Sequence, residues 1–401
     1  ELTKVSENIS LVGASCCGCM ACEAVCPVHA IELDTRGGYW YPKINACVYC
    51  GKCLDVCPIL NSEHNKVKEK NTAYIAYLID EQERRKSTSG GLFFAIATYV
   101  IQHDGVVYGA AFDDSMRVTH HRASTKQQVT MLRGSKYVQS DIRLVFQQII
   151  DDLKTKKMVL FSGTPCQVSA VKSFCEKKAN CDNLFLLEIL CYGVPSPMIF
   201  QNHLKQIELN YKDAVCNYLF RDESGGWGQY YIHSADLKNG MHLYNETLFQ
   251  DLEKLYRSHY NVRQSCFECR YIGRKRCADI TIGDCWGVHE ITKEFDSKDG
   301  VSLVLINTSF GREVWNSICN DVNSLEIEYN VLEKSNGVLV HGPEKPNDYE
   351  EFWKWFQKRG YLETLIRFTP YGGIRYSIYH KICNMKNRLR KKWYNEDRKS
   401  G

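Results

Sequence analysis

Eight cysteines near the start of the chain carry its most specific chemistry. Cys16, Cys19, Cys22 and Cys26, the last followed by Pro27, read C-x2-C-x2-C-x3-C-P, and Cys47, Cys50, Cys53 and Cys57, followed by Pro58, repeat the pattern. Thiolates at that spacing hold two [4Fe–4S] cubanes. Three closely spaced cysteines take three corners of one cube, and the fourth, before the proline, reaches the other. The pattern assigns Cys16, Cys19, Cys22 and Cys57 to one cluster and Cys47, Cys50, Cys53 and Cys26 to the second. Two clusters held close together move single electrons. Zinc sites would use cysteine pairs separated by a longer arm, without a third cysteine two residues on. Disulfides would need an oxidising compartment and usually a much smaller domain. Cys17 falls off the spacing and reads as a packed thiol.

Four further cysteines stand in distinctive settings: Cys166 in SGTPCQ at 162–167, Cys191 in CYGVP at 191–195, and the pair Cys266 and Cys269. Cys166 follows one expected strand and opens a helix, and Cys191 follows another strand. Neighbouring strand ends of a parallel sheet share an edge, so both thiols can face one spot. With Cys266 and Cys269 they make four thiolates, the number a third [4Fe–4S] cluster requires. Cys277 and Cys285 compete for a place in that set, and buried free cysteines are the plainer alternative.

A second constellation is rich in glycine. Ser87, Thr88, Ser89, Gly90 and Gly91 stand where a helix begins, with free N–H groups and a dipole that favour a phosphate. RGSKYVQS at 133–140 supplies Arg133, Gly134, Ser135, Lys136 and Tyr137, which suit a pyrophosphate and a stacked heterocycle. Each stretch alone also fits an ordinary helix start or a solvated loop. The G-x-G-x-x-G fingerprint of a nicotinamide site is absent.

These groups need elements to position them. Residues 1–60 read as a small module stapled by metal, 61–71 as a polar linker. Strands are expected at 73–78, 105–112, 158–161 and 184–190, alternating with helices at 90–102, 142–153, 165–176 and 197–207, the third of them opened by Pro165. Such alternation argues for an α/β core with a mostly parallel sheet. From about residue 215 the texture shifts to strands rich in Tyr and Phe, with further strands at 279–283 and 301–306. The body is read as 72–345, in lobes 72–212 and 213–345, followed by a tail at 346–401.

The chain has 401 residues, 44% hydrophobic and 24% charged, an ordinary globular composition with room for a large core. Twenty cysteines in a chain of this size point to reduced thiolate ligands in a cytoplasmic setting. No signal peptide is visible at 1–11, the absence of an initial methionine reads as a trimmed start, and the longest apolar run, 91–101, is too short to span a bilayer. The tail from 371 to 401 carries nine Lys/Arg against two Asp/Glu, so the rest of the chain is slightly acidic. Ile374, Ile378, Ile382, Met385, Leu389 and Trp393 recur there at helical spacing. The tail reads either as a basic amphipathic helix that docks on a protein partner or a membrane surface, or as a terminal helix packing on its own domain. Nothing in the pattern points to nucleic acid.

STSGGLF, GVVYGAAFD, RGSKYVQSD, LFSGTPCQVSAVK, CYGVPSP, SCFECR and ADITIGDCWG, in that order, resemble the beta-subunit family of coenzyme F420 hydrogenase and dehydrogenase, from about Ala73 to Trp286. The resemblance implies an iron–sulfur flavoprotein: a small α+β two-cluster ferredoxin module fused to a mixed α/β flavin-binding body, with a C-terminal helical tail. It implies FAD contacts from Ser89, Gly90, Gly91, Gly134, Ser135, Lys136, Tyr137, Thr164 and Gln167, and it supports Cys166, Cys191, Cys266 and Cys269 as a cluster beside the flavin. Where the family often has His after the CYG-motif cysteine, this chain has Tyr192, and Cys285 occupies a variable position. Lys136, Tyr137, Tyr192 and His289 are the candidate proton donors.

Two readings follow. One is a reductase taking electrons from ferredoxin or another low-potential donor through the clusters to FAD, and on to an F420-like deazaflavin or another small-molecule acceptor. The other is an electron-transfer adaptor that feeds a partner enzyme and docks through the aromatic stretch 352–355 and the basic tail.

Overall fold

The computed structural model describes residues 7–67, 71–222, 224, 226–227, 232–295 and 297–369. The basic stretch 371–401 lies outside the described residues.

The duplicated cysteine motif folds as a duplicated structure. Each half contributes one short helix, Ala21–Val25 and Lys52–Asp55, and each helix is entered through a left-handed residue, Met20 (φ 60°) and Gly51 (φ 76°), directly after the second cysteine of its motif. Between them lies one antiparallel hairpin, β1 (Ile31–Arg36) and β2 (Tyr39–Ile44), with Ile31 opposite Ile44. So few apolar residues cannot close a core alone. Ile9, Val12, Val25, Val56 and Ile59 instead join a larger core that includes Phe146, Val171 and Phe174 of the body. The module is therefore packed against the body and not tethered beside it.

The body is built on eight strands in the order β13-β3-β12-β11-β7-β6-β4-β5, where β3 is Thr72–Leu78, β4 Val106–Phe112, β5 Val118–Ala123, β6 Val159–Gly163, β7 Leu184–Ile189, β11 Ile280–Asp284, β12 Ser302–Ile306 and β13 Val322–Ile327. β8 (Val215–Leu219), β9 (Ser234–Leu237) and β10 (His242–Tyr244) form a separate antiparallel sheet. The four central strands β11-β7-β6-β4 are parallel. Both flanks are antiparallel, so the sheet is mixed where the alternation pattern suggested a mostly parallel one. The reason is local at one edge: β4 and β5 are joined by a tight turn through Asp113 and Met116 (φ 55°), too short for a crossover. The strands of the 213–345 segment complete the sheet begun by 72–212, so the two segments share one core.

Side chains leave each central strand alternately toward opposite faces. Val159 and Phe161 of β6 join the core of helices Val145–Lys154 and Pro165–Glu176, while Leu160 joins that of helix Leu92–Gln102. Full burial of each such side chain contributes about 1.5–3 kcal/mol. An aromatic third layer packs helices Pro197–Tyr211, Thr247–Arg257 and Tyr349–Phe368 around β8–β10. Phe352 and Trp353 are buried in that layer, with the Trp353 ring 5.7 Å from Tyr39 of the module. These two rings, expected as part of a docking surface, are internal packing. Among the described residues no helix is long and apolar enough to cross a membrane.

Candidate functional site

The N-terminal thiols gather in two sets. Cys22 lies near Cys16 and Cys57, Cys19 lies near Cys22 and Cys57, and burial raises Cys57 to about 11. Cys26, Cys47, Cys50 and Cys53 line a common small pocket. Cys26 thus shares a pocket with the three cysteines of the second motif, while Cys57 is near Cys16 of the first motif and Cys53 of its own. Equivalent backbone amides point at equivalent sulfurs: Gly18 N donates to Cys16 Sγ at 3.4 Å and Tyr49 N to Cys47 Sγ at 3.3 Å, while Ala30 N donates to Cys26 Sγ at 3.2 Å. Amide donors to cluster sulfurs help set a cluster's potential.

The third set forms at the C-terminal edge of the parallel strands, where α/β sheets place their ligands. Cys166 sits in the first turn of helix Pro165–Glu176 beyond β6, and Cys191 lies two residues beyond β7. Cys266 belongs to the one-turn 3-10 helix Gln264–Glu268, and Cys269 follows it. Cys191 faces Cys266, Cys166 and Cys269. Burial lifts Cys266 to about 12 and Cys269 to about 11. Thiols so placed keep their protons until a cation displaces them, which couples metal loading to proton release. Cys277 is surrounded by Glu188, Lys172 and Lys66, and Cys285 by Asp284 and Asn336, so both competitors stand among other groups. Among the described residues no three metal-ligating side chains converge on one point. A cubane spreads its four thiolates over four irons, whereas a single zinc ion would draw them together.

Beside these thiols opens a cavity of about 810 Å³, the size of a cofactor site. Cys17, Cys166 and Cys191 are in its wall. So are Ser87, Ser89, Gly91, Arg133, Gly134, Ser135, Lys136, Tyr137, Thr164 and Gln167, which brings the scattered motifs into one wall. Gly90 stands just behind it, where an added Cβ would lie 2.6 Å from the Ala76 carbonyl and 2.8 Å from the Ser302 nitrogen. Gly91 is the N-cap of helix Leu92–Gln102 in a left-handed conformation (φ 84°), and no side chain caps that helix. Its first N–H groups are left for a ligand at the positive end of the dipole.

The motif side chains divide their labour. Arg133, expected to meet phosphate, turns its guanidinium onto Glu83 (Nη1 to Oε2, 2.5 Å), donates to the Glu83 carbonyl and to Ser87 Oγ at 2.9 Å, and lies 3.9 Å over the Phe94 ring. Thr88 Oγ1 meets Ser135 Oγ at 2.9 Å. The two glycine-rich loops are tied together by these contacts. Thr164 Oγ1 donates to Gln167 Oε1 at 3.2 Å, and Gln167 Nε2 to the Ser140 carbonyl at 3.0 Å, so both serve the helix start as well as the wall. Among the described residues Lys136 donates to main-chain carbonyls, those of Leu132, Arg133 and Gly134. Burial lowers its ammonium to about 7. The Tyr137 ring packs edge-on to Phe220 and 5.4 Å from Tyr256.

Of the other proton-donor candidates, Tyr192 is in the cavity wall, its phenol raised by burial, with the His259 ring 5.5 Å away. His289 is on the short helix Val288–Ile291, paired with Ser297 Oγ at 2.8 Å, and is not in the wall. Two features of the wall were not singled out in the sequence. His120 is buried between Ser140 Oγ (2.7 Å) and the Ser162 carbonyl (2.9 Å), and burial lowers it to about 4, so it stays neutral. Asp284, ending β11, holds Arg221 at 2.7 Å and Trp227 Nε1 at 3.1 Å, while Trp227 stacks on Trp286 at 5.3 Å. The GDCWG motif was a pointer to the second of these.

Residues 156–330 match the family described as the C terminus of the coenzyme F420 hydrogenase/dehydrogenase beta subunit, and residues 15–60 match the 4Fe-4S dicluster domain. The segment 156–330 belongs to the F420 hydrogenase/dehydrogenase beta-subunit family. The chain's dicluster domain accounts for two [4Fe–4S] clusters. The chain is 44% identical over 325 residues to the coenzyme F420-dependent sulfite reductase of Methanocaldococcus jannaschii, covering 78% of this chain and 48% of the relative. It is 27% identical over 188 residues to an uncharacterized protein of the same archaeon, covering 39% of this chain and 51% of the relative. The chain thus spans about half the length of the curated relatives it matches. A chain of the F420-reducing [NiFe] hydrogenase complex from Methanosarcina barkeri superposes with a TM-score of 0.46 at 17% identity, covering 77% of this chain and 96% of that one.

Proposed function

We propose that this chain passes electrons from its two N-terminal clusters through a third [4Fe–4S] cluster, on Cys166, Cys191, Cys266 and Cys269, to FAD in the 810 Å³ cavity and on to a small-molecule acceptor. The observation that carries the reading is the meeting of thiols and glycine-rich loops in one wall: Cys166 and Cys191 face the same space as Gly91, Gly134 and Lys136. A bound flavin exchanges electrons singly with clusters and in pairs, as hydride, with organic partners. The chain's own residues hold and orient it. The uncapped start of helix Leu92–Gln102 and the Lys136 ammonium would take the diphosphate, and Tyr137 with Tyr256 offers aromatic surface. Tyr192, adjacent to Cys191, keeps its proton at neutral pH and would supply it to a reduced substrate. The curated relative is named for F420 dependence and matches 78% of this chain, so a deazaflavin of the F420 type is the acceptor class proposed. Mixing the anaerobically reduced, fully loaded chain with F420 tests this: F420 absorbance should fall as the clusters reoxidise. A reduced chain that stays reduced with F420 would remove that acceptor class.

The Lys136 amine gives the site a pH dependence. Held at about 7, it is charged below that pH and neutral above it. Affinity for an anionic diphosphate is therefore expected to fall as pH rises from about 6 to 8, by up to tenfold per unit. Lys136→Met should bind FAD weakly and with a flat profile, measured by flavin fluorescence in equilibrium dialysis. An unchanged slope in the variant would show that another group titrates.

A further inference from the structure

Arg263 is fully buried and, among the described residues, no carboxylate pairs with it. Its guanidinium is spent on the joint between module and body. Nε donates to the Cys16 carbonyl at 2.8 Å, Nη2 to the Trp40 carbonyl at 2.8 Å and Nη1 to Gln139 Oε1 at 3.0 Å, while Gln139 Nε2 donates to the Cys17 carbonyl at 2.9 Å. The cation lies 4.4 Å from the Tyr41 ring centroid and 5.3 Å from that of Tyr39. It presses so closely on the first cysteine loop that a Cβ on Gly18 (φ 72°) would be 2.6 Å from Nη1. Its backbone belongs to the other side: Arg263 N donates to the Val194 carbonyl, just beyond Cys191, and its own carbonyl accepts from Cys266 N. The thiols facing the charge are Cys16 and Cys17 of the module and Cys166 and Cys266 of the body.

A buried guanidinium needs a negative charge nearby. Iron–sulfur clusters with four thiolates are net anions, and each gains one more negative charge on reduction. From this placement we infer that Arg263 is the shared counter-ion of the first N-terminal cluster and the central cluster, stabilising the reduced form of both and fixing the separation between them. The inference rests on the central cluster proposed above. Arg263 acts through the clusters and is a positioning residue. A cation so placed raises the reduction potential of both centres relative to a neutral side chain. The second N-terminal cluster, whose thiols line a separate pocket, serves as an internal reference.

The test is an anaerobic redox titration of the loaded chain, followed by EPR, for the unaltered protein, Arg263→Lys and Arg263→Gln. Arg263→Gln should move two of the three midpoint potentials to more negative values and leave the third in place. Arg263→Lys, which keeps the charge but loses the forked hydrogen bonds, should recover most of the shift; a merely structural role would leave both variants alike. Gln139→Glu covers the case in which Arg263→Gln fails to assemble. It sets a carboxylate against the guanidinium in place and should shift the same two potentials in the same direction. Three clusters with unmoved potentials in Arg263→Gln, or in Gln139→Glu when the former does not assemble, would overturn the inference. A third cluster missing from the unaltered protein would instead overturn the reading on which the inference rests.

Discussion

Cys191→Ala is expected to remove the central cluster alone. Iron should fall from about twelve to about eight atoms per chain, because the four thiols at the sheet edge share one cubane and the N-terminal sets do not depend on them. The N-terminal cluster signals should persist, since Cys16, Cys19, Cys22 and Cys57, with Cys26, Cys47, Cys50 and Cys53, are held by their own loops. Electrons supplied to those clusters should then no longer reach the flavin, while FAD stays bound by the glycine-rich loops. Iron and sulfide analysis with stopped-flow bleaching at the flavin band reads all three effects. Full iron with undiminished flavin reduction would show that Cys191 is not a ligand and that the electron path runs elsewhere.

The second large effect is expected at Arg133. Its guanidinium is 6% exposed and joins Glu83, Ser87 and Phe94, so it holds the loop at Ser87–Gly91 against the loop at Gly134–Tyr137. Arg133→Met keeps the bulk and removes the charge, leaving Glu83 with Lys86 as its remaining cation. Losing one partner of a buried pair costs about 3–5 kcal/mol; Glu83 is 21% exposed, so about 2–3 kcal/mol is the expected loss here. Expressed in binding, that is on the order of a hundredfold weaker FAD. Iron content should not change. A variant that purifies with full flavin would mean that the loops are held together without Arg133.

The contrast between these two residues shows what a sequence makes legible. Ligand spacing for the N-terminal clusters is local, so the two-cluster module at 15–60 could be written from the spacing alone. The helix at Pro165–Glu176 could be written from its proline, and the shared strand edge from the β6–β7 alternation. Arg133 was singled out as a cation, but whether a guanidinium meets a ligand or a neighbouring Glu83 depends on the fold. Arg263 illustrates the distance involved: it is 247 residues from the carbonyl it grips. Phe352 and Trp353 looked like docking surface because their burial depends on Tyr39 and the aromatic layer, which no local pattern announces. His120 was silent for the same reason. Its partners, Ser140 and the Ser162 carbonyl, come from a loop and a different strand.

The claim at the centre of this account is that the thiols of Cys166, Cys191, Cys266 and Cys269 and the glycine-rich loops form one redox site beside the dicluster module. Iron, acid-labile sulfide and released flavin, measured together on anaerobically purified chain, test it most directly. About twelve irons, a matching amount of sulfide and one FAD per chain are expected. About eight irons and no flavin would contradict it and leave a two-cluster electron carrier.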